Sequence, residues 1–172
     1  MYPVSAVLAS RDVMHVIRPG EHGSTYGGNA LACAVACAAL DVLVDEKLCD
    51  RSAELGKHMR EQLEARLANC KVVKEIRGTG LMNAIVIDDS QARAKGRGAW
   101  DVCLCAAARG VLCKPTHKDI IRLTPPLVIS KDQVGRVVDA LVRSLEEFDD
   151  PDFVVPLKKE DEERTAHFFG AH

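Results

Sequence analysis

The sequence has no hydrophobic run long enough to cross a bilayer and no strong excess of charge of either sign. Its longest apolar run extends from Ala30 to Leu40 and stops at Asp41, whereas a membrane-spanning helix needs about 20 apolar residues. The formal net charge of −2 lacks the basic footprint of a nucleic-acid-binding protein. No basic stretch followed by a hydrophobic segment opens the chain, so we expect no signal peptide. These absences argue against a membrane or a nucleic acid as partner.

A composition typical of disorder or of low-complexity repeats is also missing. Of the 172 residues, 47% are hydrophobic and 28% are charged, which is typical of a globular protein. A chain of this length buries roughly 70% of its unfolded surface on folding. We therefore expect a real hydrophobic core in one domain or slightly more, followed by an irregular, acidic tail at 149–172.

The seven cysteines do not form a zinc-binding pattern. Cys33 and Cys37 lie one helical turn apart, and Cys103 and Cys105 are separated by one residue, so neither pair resembles a zinc knuckle. We therefore expect no metal site. Free cysteine is among the most buried residue types, and this pattern favours small, buried thiols in a reducing compartment.

Hydrophobic periodicity predicts a mixture of helices and strands in the order helix-strand-strand-helix-strand-strand-helix. This order indicates an α/β protein of the α+β type, with a mainly antiparallel sheet and helices packed on it. Because the first helix is apolar nearly all round, we expect it to be buried on most sides. The predicted helices cover about 30–45, 47–69, 99–109 and 131–148; the predicted strands cover 72–73, 81–87, 111–113 and 120–123, and a short buried strand covers 2–8.

A glycine-rich segment at 21–29 has the features of a phosphate-binding loop. It combines the hydroxyls of Ser24 and Thr25 with backbone N–H groups beside glycines, and a helix begins directly after Asn29. Converging donors at a helix N-terminus favour a phosphate group. A plain turn with an N-cap would account for Gly28 and Asn29 alone, so the sequence leaves both interpretations open.

A second candidate is Arg122, which lies in an apolar strand directly before Leu123. A guanidinium among isoleucine and leucine must be paired or must await an anion. Bidentate recognition of a carboxylate is the functional interpretation, and a structural ion pair at a strand end is the alternative. The segment Lys-Pro-Thr-His at 114–117 precedes it as a rigid turn, and His117 alone is more typical of a loop than of a ligand or base.

Several of these segments together resemble the ornithine aminotransferases, a branch of the class III family of pyridoxal-phosphate-dependent aminotransferases. The similarity runs in order over about 2–148, with two departures at Ala30 and at 123–124, which the family usually fills with proline and phenylalanine-alanine. The matching motifs are Tyr-Pro-Val-Ser-Ala at 2–6, Gly-Glu-His-Gly-Ser-Thr-Tyr-Gly-Gly-Asn at 20–29, Arg-Gly-x-Gly-Leu-x-Asn-Ala-Ile at 77–85, Lys-Pro-Thr-His at 114–117 and Ile-Ile-Arg-x-x-Pro-Pro at 120–126.

The resemblance implies a domain organisation and a set of site residues. Residues 1–46 would be the end of the large cofactor-binding domain of a fold-type I transferase with the interdomain helix, and 47–148 would be its C-terminal small domain. Ser24 and Thr25 would bind the phosphate of pyridoxal phosphate in the partner subunit of a homodimer. Arg122 would grip the α-carboxylate of 2-oxoglutarate or glutamate.

The implied reaction transfers the δ-amino group of ornithine to 2-oxoglutarate, giving glutamate-5-semialdehyde and glutamate. Relatives occur in the cytosol and in the mitochondrial matrix, and the cytosol is slightly favoured. The family's Schiff-base lysine precedes the motif that begins at Tyr2, so we expect it before Met1 and do not assign it to Lys114. The chain alone would then hold no covalent cofactor and be inactive. A non-catalytic α/β module for dimerisation or anion binding is the alternative.

Overall fold

The computed structural model describes residues 3–88, 97–148 and 150. The chain divides into a first unit, Met1–Leu48, and a second unit, Cys49–His172. The acidic tail predicted at 149–172 lies, apart from Asp150, outside the described residues. None of the helices within the described ranges is both long and apolar enough to span a membrane.

The first unit contains a short helix α1, Arg11–Met14, and a longer helix α2, Ala30–Asp45. The predicted N-cap of α2 is confirmed, because the side-chain oxygen of Asn29 accepts a hydrogen bond from the Ala32 N–H at 3.0 Å. The strand predicted at 2–8 is wrong: residues 3–8 are exposed and form no strand. No described strand pairs with this segment, so its backbone has no ladder to join.

The expected burial of α2 is also wrong for the described chain. Ala32 is its only buried residue, and Leu31, Leu40 and Val44 are 59%, 61% and 75% exposed. Apolar side chains surround this helix on all sides, so burying it requires neighbours on all sides. The first unit offers only one other described helix, and that helix has four residues.

The second unit is a two-layer α/β sandwich, as the sequence predicted. Its sheet has the strand order β1-β2-β4-β3, and every neighbouring pair is antiparallel. A single hydrophobic core joins the helices to one face of the sheet. In chain order the elements are α3, Leu48–Leu67; β1, Val73–Thr79; β2, Met82–Ile87; α4, Ala99–Ala108; β3, Lys114–Thr116; β4, Ile120–Leu123; and α5, Lys131–Phe148.

The β3 strand lies three residues later than the 111–113 predicted from its apolar residues. It includes Pro115, which has no N–H to donate, and it occupies an edge of the sheet. An edge strand tolerates proline because one side of its backbone has no strand to bond. The prediction failed because the most apolar residues, including buried Cys113, lead into the strand rather than forming it.

Helix α3 lies against the turn between β1 and β2 at an unusually close glycine contact. A Cβ added to Gly56 would lie 1.7 Å from the carbonyl oxygen of Gly80, so only glycine allows this approach. The Leu81 N–H donates to Ser52 Oγ at 3.0 Å, and Arg60 Nη1 donates to the Gly80 carbonyl at 3.1 Å. These bonds hold the β1–β2 hairpin on the core.

The cysteines divide between the two parts of the molecule. None of them forms a disulfide in the described structure, but only the second unit contains fully buried ones. The expectation of general burial is therefore wrong for Cys33, Cys37 and Cys49, which are exposed, and confirmed for Cys103, Cys105 and Cys113. Cys33 and Cys37 are exposed because no described element packs over that part of α2.

Candidate functional site

The predicted phosphate-binding loop is exposed and held by its own polar groups. The Gly27 N–H donates to Ser24 Oγ at 3.1 Å, and the Arg18 N–H donates to a carboxylate oxygen of Glu21 at 2.7 Å. Gly28 has a φ of +73°, which favours glycine. The loop therefore has a defined shape while Ser24 and Thr25 remain open to a ligand.

The chemistry of this loop fits a phosphate group. The two hydroxyls can donate hydrogen bonds to phosphate oxygens, and the N-terminus of α2 follows at Ala30. A Cβ added to Gly23 or Gly28 would meet no atom within 4 Å, so the space around the loop is open. These residues could hold the phosphate of pyridoxal phosphate, although a plain capped turn has the same internal bonds.

Arg122 lies on the face of the sheet opposite the core. In β4, Ile121 and Leu123 are buried while Arg122 is exposed, as expected from the alternation of side chains along a strand. Across the sheet, Arg122 is directly opposite Ala84 on β2 and Lys114 on β3, and Ala84 is opposite Arg77 on β1. We call Arg77, Ala84, Arg122 and Lys114 the basic row.

The cations of the basic row differ in their partners. Arg77 Nη1 lies 3.3 Å from a carboxylate oxygen of Glu75. Arg122 and Lys114 make neither an ion pair nor a side-chain hydrogen bond with any residue in 3–88 or 97–148. The structure therefore offers no described acidic partner for the ion pair that the sequence left open, and both cations can accept an anion.

A cavity of about 320 Å³ lies at the end of the sheet beside these two cations. Lys114 and Arg122 line it together with the segments 110–113 and 123–126. Ile129, just before α5, and Val137, on α5, complete the lining. Positive charge at one side and an apolar wall at the other suit a small organic carboxylate. Thus the second unit by itself contains a candidate site for such a ligand.

The lining residue Cys113 is hydrogen-bonded through its thiol to Cys103 on α4. That bond lowers the pKa of Cys113, because the Cys103 S–H can donate to a Cys113 thiolate. The same bond, with burial, raises the pKa of Cys103. Nearby, burial raises the pKa of Cys105 to about 11. Cys103 and Cys105 therefore remain protonated at neutral pH, and the three buried cysteines behave mainly as small core residues.

Sequence reasoning missed the position of Lys114 opposite Arg122, because it placed this lysine at the head of a turn. The missing information was the hairpin register: His117 has a φ of +57° in the turn between β3 and β4. That turn pairs Lys114 with Arg122, Pro115 with Ile121 and Thr116 with Ile120. The eight-residue spacing around the turn was the available signal, and it became readable only once the position of β3 was known.

Ornithine aminotransferases of other organisms are similar to this chain in sequence. The ornithine aminotransferase of Schizosaccharomyces pombe is 50% identical over 147 residues, covering 84% of this chain and 32% of that protein. The mitochondrial ornithine aminotransferase of Arabidopsis thaliana is 54% identical over 145 residues, covering 84% of this chain and 30% of the relative. The chain thus spans about a third of the length of these relatives.

Solved structures agree with this similarity. An ornithine aminotransferase from Plasmodium yoelii superposes with a TM-score of 0.74 at 41% identity, over 83% of this chain and 36% of the other. An acetylornithine aminotransferase from Elizabethkingia anophelis superposes with a TM-score of 0.75 at 49% identity, over 86% of this chain and 36% of the other. The family described as aminotransferase class-III matches residues 2–145, and the chain therefore belongs to the class III aminotransferases.

Proposed function

We propose that these residues form the C-terminal part of an ornithine aminotransferase, which transfers the δ-amino group of ornithine to 2-oxoglutarate. The observation that carries the proposal is Arg122, an exposed guanidinium without a described partner, beside a small cavity with an apolar wall. The relatives named ornithine aminotransferase at 50% and 54% identity support this donor. The products are glutamate-5-semialdehyde and glutamate.

In this proposal Ser24 and Thr25 hold the phosphate of pyridoxal phosphate that belongs to the partner subunit of a homodimer. Their hydroxyls donate to the phosphate oxygens, and the positive end of the α2 dipole stabilises the charge. The bound cofactor supplies an electron sink for the amino transfer. The loop's contribution is to anchor the phosphate so that the reactive ring keeps one position.

Arg122 binds the α-carboxylate of 2-oxoglutarate and of the glutamate product. Its planar guanidinium can donate two parallel hydrogen bonds to one carboxylate, which fixes the orientation as well as the position of the acid. The neighbouring buried residues Ile121 and Leu123 hold the strand in place, so the arginine projects from a rigid element. A fixed carboxylate places the keto carbon of the acid at one distance from the reaction centre.

The proposed role of Arg122 can be tested directly in the assembled enzyme, that is, in the homodimer of the full-length protein. Arg122→Lys replaces the fork with a single ammonium, so we expect both half-reactions to weaken by unequal factors, with the larger loss for 2-oxoglutarate. Single-turnover kinetics with ornithine and with 2-oxoglutarate measure the two losses separately. Arg77→Lys is a matched control, because Arg77 lies on the same face of the sheet but pairs with Glu75. Unchanged kinetics for both substrates in Arg122→Lys would remove Arg122 from the site.

We also propose that none of the ten lysines of this sequence is the one that binds the cofactor covalently, and that the chain alone is inactive. Lys114 lies in an edge strand, and its flanking residues do not match the family's lysine motif. Incubating the 172-residue chain with pyridoxal phosphate and borohydride, followed by peptide mapping, should give no stoichiometric adduct at a single lysine. Trapping at one site would contradict this assignment.

A second donor, N-acetylornithine, is favoured by one observation, the 49% identity to an acetylornithine aminotransferase. The two donors differ in charge at the α-nitrogen, since acetylation removes the ammonium. Comparing kcat/KM for ornithine and N-acetylornithine in the assembled enzyme distinguishes them. If neither donor reacts but the chain still binds carboxylates or dimerises, the alternative of a non-catalytic module is correct.

A further inference from the structure

The most informative feature beyond Arg122 is the lysine directly opposite it. Lys114 and Arg122 are register partners in the β3–β4 pair, and both line the 320 Å³ cavity. Both side chains are exposed, and no acid in 3–88 or 97–148 pairs with either. Two cationic residues on neighbouring strands therefore line one cavity.

This juxtaposition has an energetic cost without a ligand. Like charges directly opposite each other in an antiparallel pair destabilise it. An anion bound between the two cations turns the repulsion into two attractions. The pair of cations is therefore more stable with an anion bound than without one.

We propose that Lys114 acts with Arg122 to bind the dicarboxylate acceptor and to disfavour the cationic amino donor. The proposal rests on the function proposed above and adds a residue that sets selectivity. 2-Oxoglutarate carries two negative charges at neutral pH, whereas ornithine carries two ammonium groups and one carboxylate. A fixed ammonium at Lys114 attracts the first substrate and repels the second. Arg122 supplies the directional hydrogen bonds, and Lys114 supplies a charge that senses the ligand's total charge.

The size of the effect follows from the exposure of the lysine. An exposed charge acts through water, so its effect on a substrate several ångströms away is about three- to tenfold in affinity. The effect must also decrease with salt, because the Debye length falls from about 10 Å at 0.1 M to about 3 Å at 1 M. A purely structural role for Lys114 would show neither the dependence on substrate charge nor the dependence on salt.

The test uses Lys114→Met in the assembled enzyme. We expect kcat/KM for 2-oxoglutarate to fall about three- to tenfold, mainly through KM, while kcat/KM for ornithine is unchanged or rises up to about threefold. Lys114→Arg should retain the wild-type ratio of the two values. Lys118→Met is the matched control, because Lys118 lies in the same hairpin, is exposed and does not line the cavity. Raising the salt to 1 M should shrink the difference between wild type and Lys114→Met.

Equal losses for both substrates, or the same loss in Lys118→Met, would overturn the proposal. A separate binding measurement distinguishes this from a failure of the proposed function. Saturation-transfer NMR with 2-oxoglutarate and the 172-residue chain should show binding that Lys114→Met weakens and Lys118→Met does not. If the enzyme transfers no amino group but this pattern is found, the cation pair stands and the proposed function fails. If neither variant alters binding, the role of Lys114 is refuted whatever the activity.

Discussion

The helices of the two units differ sharply in how far their apolar side chains are buried. Helix α2 buries only Ala32, although its sequence is almost entirely apolar. Helix α5 contains charged residues throughout and yet buries eight side chains, including Leu141 and Leu145. A one-sided apolar stripe can be covered by a single sheet, whereas an apolar cylinder cannot. The hydrophobic content of a helix therefore indicates how much apolar surface needs to be buried. Only the pattern of that content indicates whether the described fold can bury it.

Truncating one leucine in each unit should give the largest difference. Leu141→Ala removes a side chain with no exposed surface and should cost about 3–5 kcal/mol in the free energy of unfolding, because it leaves a cavity. Leu40→Ala removes one that is 61% exposed and should change stability by less than about 0.5 kcal/mol. Urea unfolding of both variants measures the contrast. Similar losses would mean that Leu40 is covered in solution.

Two helical glycines offer a matched pair within the second unit. Gly56→Ala places a Cβ 1.7 Å from the Gly80 carbonyl oxygen, so α3 must move from the hairpin, at a cost of about 3 kcal/mol. Gly135→Ala on α5 meets no atom within 4 Å and should stabilise the protein by about 0.5–1 kcal/mol through helix propensity. Thermal unfolding should therefore show shifts of opposite sign. A harmless Gly56→Ala would refute the close contact.

The smallest predicted effect is a difference in alkaline stability due to Cys105. Its pKa rises from 9.0 to about 11 because the thiol is buried, so below pH 9 it is protonated in both the folded and the unfolded state. Between pH 9 and 11 the unfolded chain loses this proton first, and the free energy of unfolding falls. In denaturant unfolding at pH 8, 9 and 10, the free energy of unfolding should decrease less steeply with pH for Cys105→Ala than for the wild type. Equal slopes would show that the thiol titrates normally in the folded protein.

Local signals in the sequence sufficed for most of the second unit. The helices predicted at about 47–69 and 131–148 are confirmed as α3 and α5. The start of α5 is marked by a capping box, in which the hydrogen bonds between Ser130 and Gln133 are 2.8 and 3.1 Å long. These features depend on residues three or four apart, which periodicity and capping rules describe directly. The predictions needed no knowledge of the fold.

Features that depend on distant neighbours were harder to predict. The edge position of β3 decided where that strand lies, and the strand register decided that Lys114 faces the same side as Arg122. Burial of α2 depended on whether other elements surround it. The candidate residues Ser24, Thr25 and Arg122 could be chosen from their chemistry and resemblance, but their accessibility could be seen only in the folded chain.

The alternation along β4 has a consequence for how this protein tolerates insertions. Odd-numbered positions of the strand build the core and even-numbered positions lie on the opposite face of the sheet, as Ile121 and Arg122 illustrate. A single residue added before the strand would exchange the two sets, placing a guanidinium among leucines and an isoleucine in water. Ligand recognition and folding would then be lost together, whereas two added residues would restore the parity. Changes in the length of this hairpin should therefore be accepted in steps of two.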